Sequence, residues 1–160
     1  MLNFERSCDL RFLIVMLAGL ILAPGAYADD KDDVLAFIHQ YGELEGDLKA
    51  QAKLIRDDRV MITSVRQSDA AKNMAIQMAA RQASEAINGG KTKFITTIES
   101  PQIAIYGNVA VTSFERSFAI FPHNQPAEPP GPSTWVTLVL VKERGEWGIA
   151  HTHISPVGGD

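Results

Sequence analysis

Apolar residues after position 30 recur at the spacing of an amphipathic helix. One face of the helix predicted over residues 33–45 consists of Val34, Phe37, Ile38 and Tyr41. Gly46 ends this helix, and Asp47 is a suitable N-cap for a second helix over residues 48–55. The pattern thus predicts a bent pair of helices at the start of the domain.

A short polar stretch separates this pair from a third helix. Residues 56–59 read Arg-Asp-Asp-Arg and are predicted as a charged turn, which is followed by a β-branched strand over 60–65. Ser68 is the predicted N-cap of an Ala- and Met-rich helix over 69–87, and Gly89 is its predicted end.

From residue 91 the apolar residues change from helical spacing to the alternation of strands. Four strands are predicted over residues 92–106, 109–121, 134–143 and 146–155. Pro101 predicts a kink in the first of them, because proline cannot donate a ladder hydrogen bond. The Pro-rich segment 123–133 is predicted as a loop. Since short turns join the other strands, the four strands should form an antiparallel meander.

This order of elements predicts an α+β domain in which the helices lie on one side of an antiparallel sheet. Residues 135–141 are apolar on both faces of their strand. A strand of this kind needs cover on both sides. The helices supply one cover, and the sequence predicts a homodimer in which a second subunit supplies the other.

The first 28 residues have the pattern of a secretory signal peptide. Two arginines flank the start of an apolar run over residues 12–23, and Ala-Tyr-Ala follows at 26–28 as a cleavage site. The alternative is a retained membrane anchor, but the run is shorter than the roughly 20 residues of a membrane span. We therefore expect residues 1–28 to be removed and residues 29–160 to form a secreted or periplasmic domain without membrane contact.

Composition and charge narrow the possible partners. The chain has 160 residues, 15 Lys and Arg, 19 Asp and Glu, and a formal net charge of −4. The length fits one domain, and the acidic balance argues against nucleic acid as a partner. The single cysteine, Cys8, lies in the predicted signal. The mature domain should therefore have no disulfide and no cysteine nucleophile.

Two histidines near the end of the chain are candidate functional residues. His151 and His153 share one face of a predicted strand, roughly 6.6 Å apart. Such a pair can make structural hydrogen bonds, line a ligand pocket, or bind a metal together with Glu115 or His39. We predict no metal site, because two ligands are too few. By strict alternation Trp147 should lie on the same face as the histidines.

A second group of candidates lies on the strand 109–121 and on the first helix. Glu115 and Arg116 are adjacent, so they point to opposite faces of the sheet. Arg116 follows the alternation of Phe114 and Phe118, and it either binds a carboxylate or extends to solvent at the sheet edge. Tyr41 either donates a hydrogen bond into a cavity or packs in the core.

Three features resemble a known superfamily. They are Gly-Asp-Leu at residues 46–48, Arg-Asp-Asp at residues 56–58, and the order of the elements. The closing hairpin, from Trp135 to His-Thr-His-Ile-Ser at 151–155, is the most specific. With it, residues 33–156 resemble the SnoaL-like domains of the nuclear transport factor 2-like superfamily, which are related to the association domain of calcium/calmodulin-dependent kinase II.

The resemblance implies a cone, in which a strongly curved antiparallel sheet wraps around three helices and leaves a cavity at the open end. The superfamily includes isomerases, cyclases, hydrolases and non-catalytic binding or oligomerisation modules, so its fold does not fix a function. The ketosteroid isomerase mechanism does not transfer to this chain. Alignment on residues 46–48 places Ile62 or Thr63 where that family has its carboxylate base, and Ile38 where it has its tyrosine.

Three functional hypotheses follow, and whether the protein is an enzyme stays open. In the first, the domain binds a small organic molecule without a cofactor, in a cavity lined by Tyr41, Phe114, Arg116, Phe118, Trp135, His151 and His153. In the second, it is a lyase, isomerase or hydrolase with His153 or His151 as general base, oriented by Glu115 or Arg116. In the third, it is a non-catalytic dimerisation module.

Overall fold

The computed structural model describes residues 24–158, with side chains from Asp30 onward. In chain order its elements are α1 (Pro24–Glu43), α2 (Leu48–Gln51), β1 (Ile55–Ile62), β2 (Arg66–Gln67), α3 (Ala70–Asn88), β3 (Lys93–Tyr106), β4 (Val109–Phe121), β5 (Thr134–Glu143) and β6 (Glu146–Pro156). Short 3-10 turns at residues 44–46 and 52–54 flank α2. The helices and the meander confirm the predicted α+β class.

The strands form one curved, unclosed sheet in the order β2-β1-β6-β5-β4-β3. Strands β3 to β6 are the predicted antiparallel meander. β1 pairs in parallel with β6, so that Val60 lies beside His151 and Ile62 beside His153. This pairing brings the first strand of the chain next to the last one. The sequence pattern did not predict this pairing, because the alternation within one strand does not determine which other strand pairs with it.

The charged turn predicted for residues 56–59 is wrong, since these residues belong to β1. The pairing of β1 with β6 is irregular between Ile55 and Val60, and Asp57 and Asp58 in this stretch are both exposed. Arg56 forms ion pairs of 2.9 Å with Asp58 and with Glu143. Arg59, by contrast, is buried. The strand was not predicted from residue 55, because four consecutive charged residues lack the alternation of polar and apolar positions that indicates a strand.

Two predicted helix bounds are wrong, since α1 begins at Pro24 and not at residue 33, and α2 ends at Gln51 and not at residue 55. The capping signals hold with one shift. The Asp47 side chain accepts a hydrogen bond of 3.0 Å from the backbone N–H of Ala50, as predicted for the cap of α2. α3 is capped by Asp69, whose carboxylate accepts from the backbone N–H of Lys72 at 2.8 Å, and not by Ser68. Gly89 ends α3 at φ +75°, a left-handed conformation that glycine adopts without strain.

We expect Asp69→Ala to lower the free energy of unfolding by about 1 kcal/mol, because it removes the hydrogen bond at the start of α3. Ser68→Ala is the matched control and should change it by less than about 0.5 kcal/mol. Urea unfolding followed by circular dichroism measures both values. A larger loss for Ser68→Ala than for Asp69→Ala would contradict this assignment of the cap.

Besides the irregular pairing of β1 with β6 between Ile55 and Val60, two register shifts re-aim side chains in the sheet. The pairing of β3 with β4 shifts register between Glu99 and Gln102, which confirms the kink predicted at Pro101. A second shift lies in β6, where His151 pairs with Val139 but Ile149 pairs with Leu140. The extra residue, Ala150, is a β-bulge.

The bulge at Ala150 changes which residues of β6 share a face. Trp147 and Ile149 turn to the face opposite His151, and they pack with the core. The prediction that Trp147 shares the face of the histidines is therefore wrong. Strict alternation fails wherever one strand contains an extra residue.

The core lies between α1 and the concave, inner face of the sheet. Strands β4, β5 and β6 contribute side chains with no exposed area, namely Phe114, Val136, Leu138, Leu140 and Ile149. The predicted face of α1 covers them with Val34, Phe37, Ile38 and Tyr41. Gly42 lets α1 approach β3 closely, since a Cβ there would lie 3.0 Å from Ile98 Cδ1. These contacts fix which face of the sheet is interior.

The predicted signal peptide falls largely outside the described residues, since only residues from Pro24 onward are described. α1 begins at Pro24 and continues past the expected cleavage position after Ala28. No helix within residues 24–158 is both long and apolar enough to cross a membrane. The division at residues 28 and 29 stays a prediction.

Candidate functional site

The residues predicted to line one pocket lie on two different faces of the sheet. Tyr41 of α1 and three residues of β4 face the interior, namely Phe114, Arg116 and Phe118. The outer face contains Glu115, Trp135, His151 and His153. A single pocket lined by all seven predicted residues is therefore wrong. Alternation predicted which residues share a face, but not which face is interior.

The outer-face histidines do not form the predicted acid-base arrangement. His153 is exposed beside Thr137, and His151 is half-buried beside Val139. Glu115 lies on β4, two strands away from β6, which corresponds to about 9–10 Å. Trp135 is its neighbour on the intervening strand β5 and is 45% exposed. Glu115 is thus too distant to orient either imidazole directly.

No metal centre is evident within the described part of the chain. Among residues 24–158, no group of three or more His, Cys, Asp or Glu side chains could hold an ion. His39, one of the additional ligands considered from the sequence, is exposed on α1.

The inner face contains an arginine that the sequence analysis missed. Arg59 of β1 is 2% exposed. Its guanidinium donates a hydrogen bond of 2.6 Å to Asn73 Oδ1 on α3 and contacts Met61 Sδ at 3.4 Å. Its Nε is buried without a hydrogen-bond partner among the described residues. No local signal in the charged run at 56–59 distinguishes this arginine from its exposed neighbours Asp57 and Asp58.

Arg116 is the second buried arginine of the inner face, at 8% exposure. Its guanidinium carbon lies 4.6 Å from the centre of the Phe118 ring, within the range of a cation–π contact. Its Nε has no hydrogen-bond partner among residues 24–158. Glu115 and Arg116 were predicted to point to opposite faces, and Arg116 is the one that faces inward.

Tyr41 lies within the electrostatic range of both arginines. Burial raises the pKa of its hydroxyl, and the negative charge of Glu45 raises it further. The positive charges of Arg116 and Arg59 and a hydrogen bond from Arg116 lower the pKa, but burial is the largest contribution. Burial lowers the pKa of Arg59, and Tyr41 opposes this shift. The charges of both arginines therefore act on the buried Tyr41 hydroxyl.

We expect the Tyr41 hydroxyl to ionise above pH 10, the value of a free tyrosine, because burial disfavours its charged form. The stability linked to this group is complete below pH 10 and falls as the pH rises through the raised pKa of the folded state. The difference in tyrosinate absorbance between the wild type and Tyr41→Phe during alkaline titration isolates this group. Ionisation at or below pH 10 would contradict the burial of the hydroxyl.

Three further polar atoms of the inner face are buried without a described partner: Thr112 Oγ1, Thr152 Oγ1 and Trp147 Nε1. Thr112 and Thr152 both pair with Leu138, one from each side, so they lie in one row across the sheet. Buried polar groups of folded proteins are nearly always hydrogen-bonded, so each of these atoms requires an explanation.

Helix α3 contacts Arg59 and the bend after α1 through polar groups. The Oδ1 atom of Asn73 accepts hydrogen bonds from Arg59 and, at 2.8 Å, from Gln77. Arg81 donates hydrogen bonds to the backbone oxygen and the carboxylate of Glu45 at 2.9 and 3.2 Å. It also lies 3.8 Å from the centre of the Phe94 ring. These contacts join α3 to β1, β3 and the bend after α1.

Two shallow depressions of about 400 and 320 Å³ border α3 near Arg81. Leu48 and Arg81 line both of them. Neither depression is lined by Tyr41, Arg59 or Arg116. These three buried side chains are thus separate from the two surface depressions.

Comparison with known sequences gives one family. Residues 34–158 match the family described as SnoaL-like domain. No curated protein matches the chain.

Solved structures with the same fold come from diverse proteins. An NTF2-like protein with a cystatin-like fold from Novosphingobium aromaticivorans has a TM-score of 0.63 at 13% identity, covering 97% of this chain and 94% of that chain. The β subunit of benzoate 1,2-dioxygenase from Burkholderia mallei has a TM-score of 0.64 at 12% identity, covering 78% of this chain and 89% of that chain. The association domain of CaMKII from C. elegans has a TM-score of 0.62 at 15% identity, covering 80% of this chain and 96% of that chain. These likenesses confirm the cone fold.

Proposed function

We propose that this chain, which belongs to the SnoaL-like domain family, binds a small organic molecule against the inner face of its sheet. The membership confirms the resemblance inferred from the sequence. The observation behind the proposal is the set of buried polar atoms without a described partner: Arg59 Nε, Thr112 Oγ1, Arg116 Nε, Trp147 Nε1 and Thr152 Oγ1. An unmade buried hydrogen bond costs about 1–3 kcal/mol, and a polar ligand would remove that cost.

The surroundings of these atoms suit an organic ligand. Phe114, Phe118 and Trp147 contribute aromatic surface to the same inner face. Binding sites for small molecules combine such apolar walls with a few polar groups that orient the ligand. The inner face offers both.

Binding without turnover is the reading that the geometry supports. Both imidazoles lie on the outer face, so the hypothesis of an enzyme with His151 or His153 as base has no enclosed site there. The carboxylate whose charge raises the pKa of Tyr41 is that of Glu45, which already accepts hydrogen bonds from Arg81 and Gln51. A general base would have to be free to accept a proton.

The test uses a panel of aromatic and aliphatic acids, amides and alcohols, measured by ligand-observed NMR and thermal shift. We expect at least one class to bind once per chain. The double variant Thr112→Val and Thr152→Val, which keeps the side-chain shape, should weaken binding about tenfold because two hydrogen bonds are lost. Thr137→Val on the outer face is the control. Failure of every class to bind, or equal loss in the control, would refute the proposal.

A second copy of the chain is a candidate partner for the outer face. Trp135 and Val111 are exposed there, at 45% and 37%, in a single chain. Exposed aromatic residues of this kind are enriched at protein interfaces. We propose a homodimer through this face, as the two-sided apolar pattern of residues 135–141 also predicts.

Sedimentation equilibrium tests the homodimer. Trp135→Glu should convert it to a monomer, because a carboxylate at an apolar contact loses its hydration without gaining a partner. Ile87→Glu on α3, where the side chain is 86% exposed, is the control and should leave the dimer intact. A wild-type monomer at high protein concentration would exclude the proposal.

Export of the domain is the third part of the proposal, and it rests on the sequence of residues 1–28. N-terminal sequencing of the protein purified from its native host would decide it. A mature chain that begins at Asp29 is expected. A chain that retains the apolar run at 12–23 would exclude cleavage.

A further inference from the structure

The outer face of the sheet is acidic on one side and basic or ionisable on the other. Glu99 of β3 and Glu115 of β4 are directly paired across the two strands, an arrangement in which like charges repel each other. On the opposite side, His153 of β6 is exposed beside Ile62 of β1, and the exposed Arg66 of β2 pairs with Ile62 in turn. Charges of opposite sign are therefore separated across this face.

These outer-face charges are not neutralised within one chain. Among the ion pairs of the described residues, none includes Glu99, Glu115, Arg66 or His153. β5 separates β4 from β6, and two strand spacings correspond to about 9–10 Å, which is too far for a hydrogen bond. Glu115 is half-buried beside Trp135, where an unpaired carboxylate is unfavourable.

The immediate neighbours of the His153 imidazole are uncharged. Thr137 of β5 and Ile62 of β1 flank it, and Ser155 follows it on the same face of β6. His151 is the nearest titratable group on its own strand. Since the helices pack against the inner face, the other charged groups that face the same side are Glu115, Glu99 and Arg66.

A two-fold axis along β5 brings the opposite charges of two chains together. In a symmetric dimer both subunits use the same surface. Rotation about an axis that lies between the two outer faces and runs parallel to β5 exchanges the two sides. It therefore places β4 of one protomer opposite β6 of its partner. Trp135 of β5, which is 45% exposed, then lies next to the axis and meets Trp135 of the partner subunit.

The register of the strands places the acidic and imidazole groups at similar heights in this arrangement. Trp135 pairs with Glu115 on one side and with Ser155 on the other, and His153 lies two residues before Ser155. Glu115 and His153 therefore differ by roughly 6.6 Å along the strand direction. Packed sheets are about 10 Å apart, so two long side chains that extend from facing sheets can meet.

We infer that the outer-face homodimer contains two symmetric ion pairs, each between Glu115 of one protomer and His153 of the partner subunit, which make dimerisation depend on pH. This inference rests on the proposed homodimer and adds its contacts and its regulation. Histidine changes its charge between pH 5 and 8, where carboxylates stay ionised. A protonated imidazole neutralises the facing carboxylate, whereas a neutral one leaves that charge unpaired in the interface.

The direction of the pH dependence follows from the protons that the dimer binds. Because the ion pairs favour the protonated imidazole, two chains bind more protons in the dimer than apart. The dimer is therefore favoured as the pH falls from 8 to 6. It weakens again below about pH 4.5, where the carboxylates become protonated and the ion pairs are lost.

Sedimentation equilibrium of the purified protein at pH 6 and pH 8, at constant ionic strength, measures this effect. We expect the dimer dissociation constant to be about tenfold lower at pH 6. His153→Gln should reduce this ratio to less than about threefold, because glutamine cannot gain the charge. His39→Gln is the matched control, since His39 is exposed on α1, and it should keep the wild-type ratio.

Glu115→Gln tests the other partner with an effect of opposite sign. At pH 8 this variant should form a tighter dimer than the wild type, because it removes the unpaired carboxylate and its repulsion with Glu99. It should also lose the dependence on pH. Glu128→Gln removes the same charge from an exposed loop position and should behave like the wild type. A cooperative thermal transition in each variant shows that it is folded.

The outcomes distinguish the ion pairs from the homodimer itself. Equal dissociation constants at pH 6 and pH 8, or a wild-type ratio in His153→Gln, would refute the ion pairs and leave the homodimer standing. A weaker dimer for Glu115→Gln at pH 8 would refute them as well. If the wild type is monomeric at both pH values, the inference and the proposed homodimer fail together.

Discussion

Phe114→Ala should lower the free energy of unfolding by about 3–5 kcal/mol, a large fraction of the stability of a domain of this size. The Phe114 side chain has no exposed area and packs in the core with Val34, Ile38 and Val136. Its loss removes the transfer free energy of a benzyl group and leaves a cavity between α1 and β4, which the surrounding strands cannot fill without breaking their pairing.

Urea unfolding followed by circular dichroism measures this loss. An unchanged slope of the free energy of unfolding against urea concentration shows that the same surface is exposed on unfolding. Phe121→Ala is the matched control, since Phe121 belongs to the same strand but is 38% exposed. This control substitution should lower the free energy of unfolding by no more than about 1 kcal/mol. Similar losses for both variants would mean that the interior does not lie between α1 and β4.

Local sequence signals were sufficient for most of this fold. β4 and β5 have the predicted bounds, because glycine-containing turns and a Pro-rich loop mark where each strand begins or ends. The face of α1 is also as predicted, since the core requires residues at helical spacing. The parallel pairing of β1 with β6 was missed, because it joins two segments about 90 residues apart in a way that no local pattern specifies.

The candidate site could be predicted only in part for a related reason. Alternation placed Arg116 and Glu115 on opposite faces, but the packing of α1 decides which face is interior. His151, His153 and Trp135 were therefore grouped with residues from the other face. Arg59 was missed because its strand was interpreted as a turn. Which side chains of β1 and β4 are buried depends on the packing of the helices against the sheet, which the sequence pattern does not encode.

Arg59→Met should raise the free energy of unfolding of the ligand-free protein by about 1–3 kcal/mol, in contrast to the effect of most core substitutions. Burial lowers the pKa of Arg59, which means that the fold disfavours its charged form. Methionine has a similar length and no charge. The lost hydrogen bond leaves Asn73 Oδ1 with its bond from Gln77 at 2.8 Å, so no new unsatisfied acceptor arises.

The sign of this change in the free energy of unfolding distinguishes a residue that binds a ligand from one that stabilises the fold. If Arg59 stabilises the fold, its replacement lowers stability; if it is held at a cost for a ligand, its replacement raises stability while binding is lost. Thermal and urea unfolding of Arg59→Met, beside Arg56→Met as the surface control with an expected change within about 0.5 kcal/mol, decide between the two. A loss of more than about 1 kcal/mol in Arg59→Met would assign Arg59 to the structure of the fold. A gain would mean that the fold tolerates a costly buried charge, which ligand binding explains and folding does not.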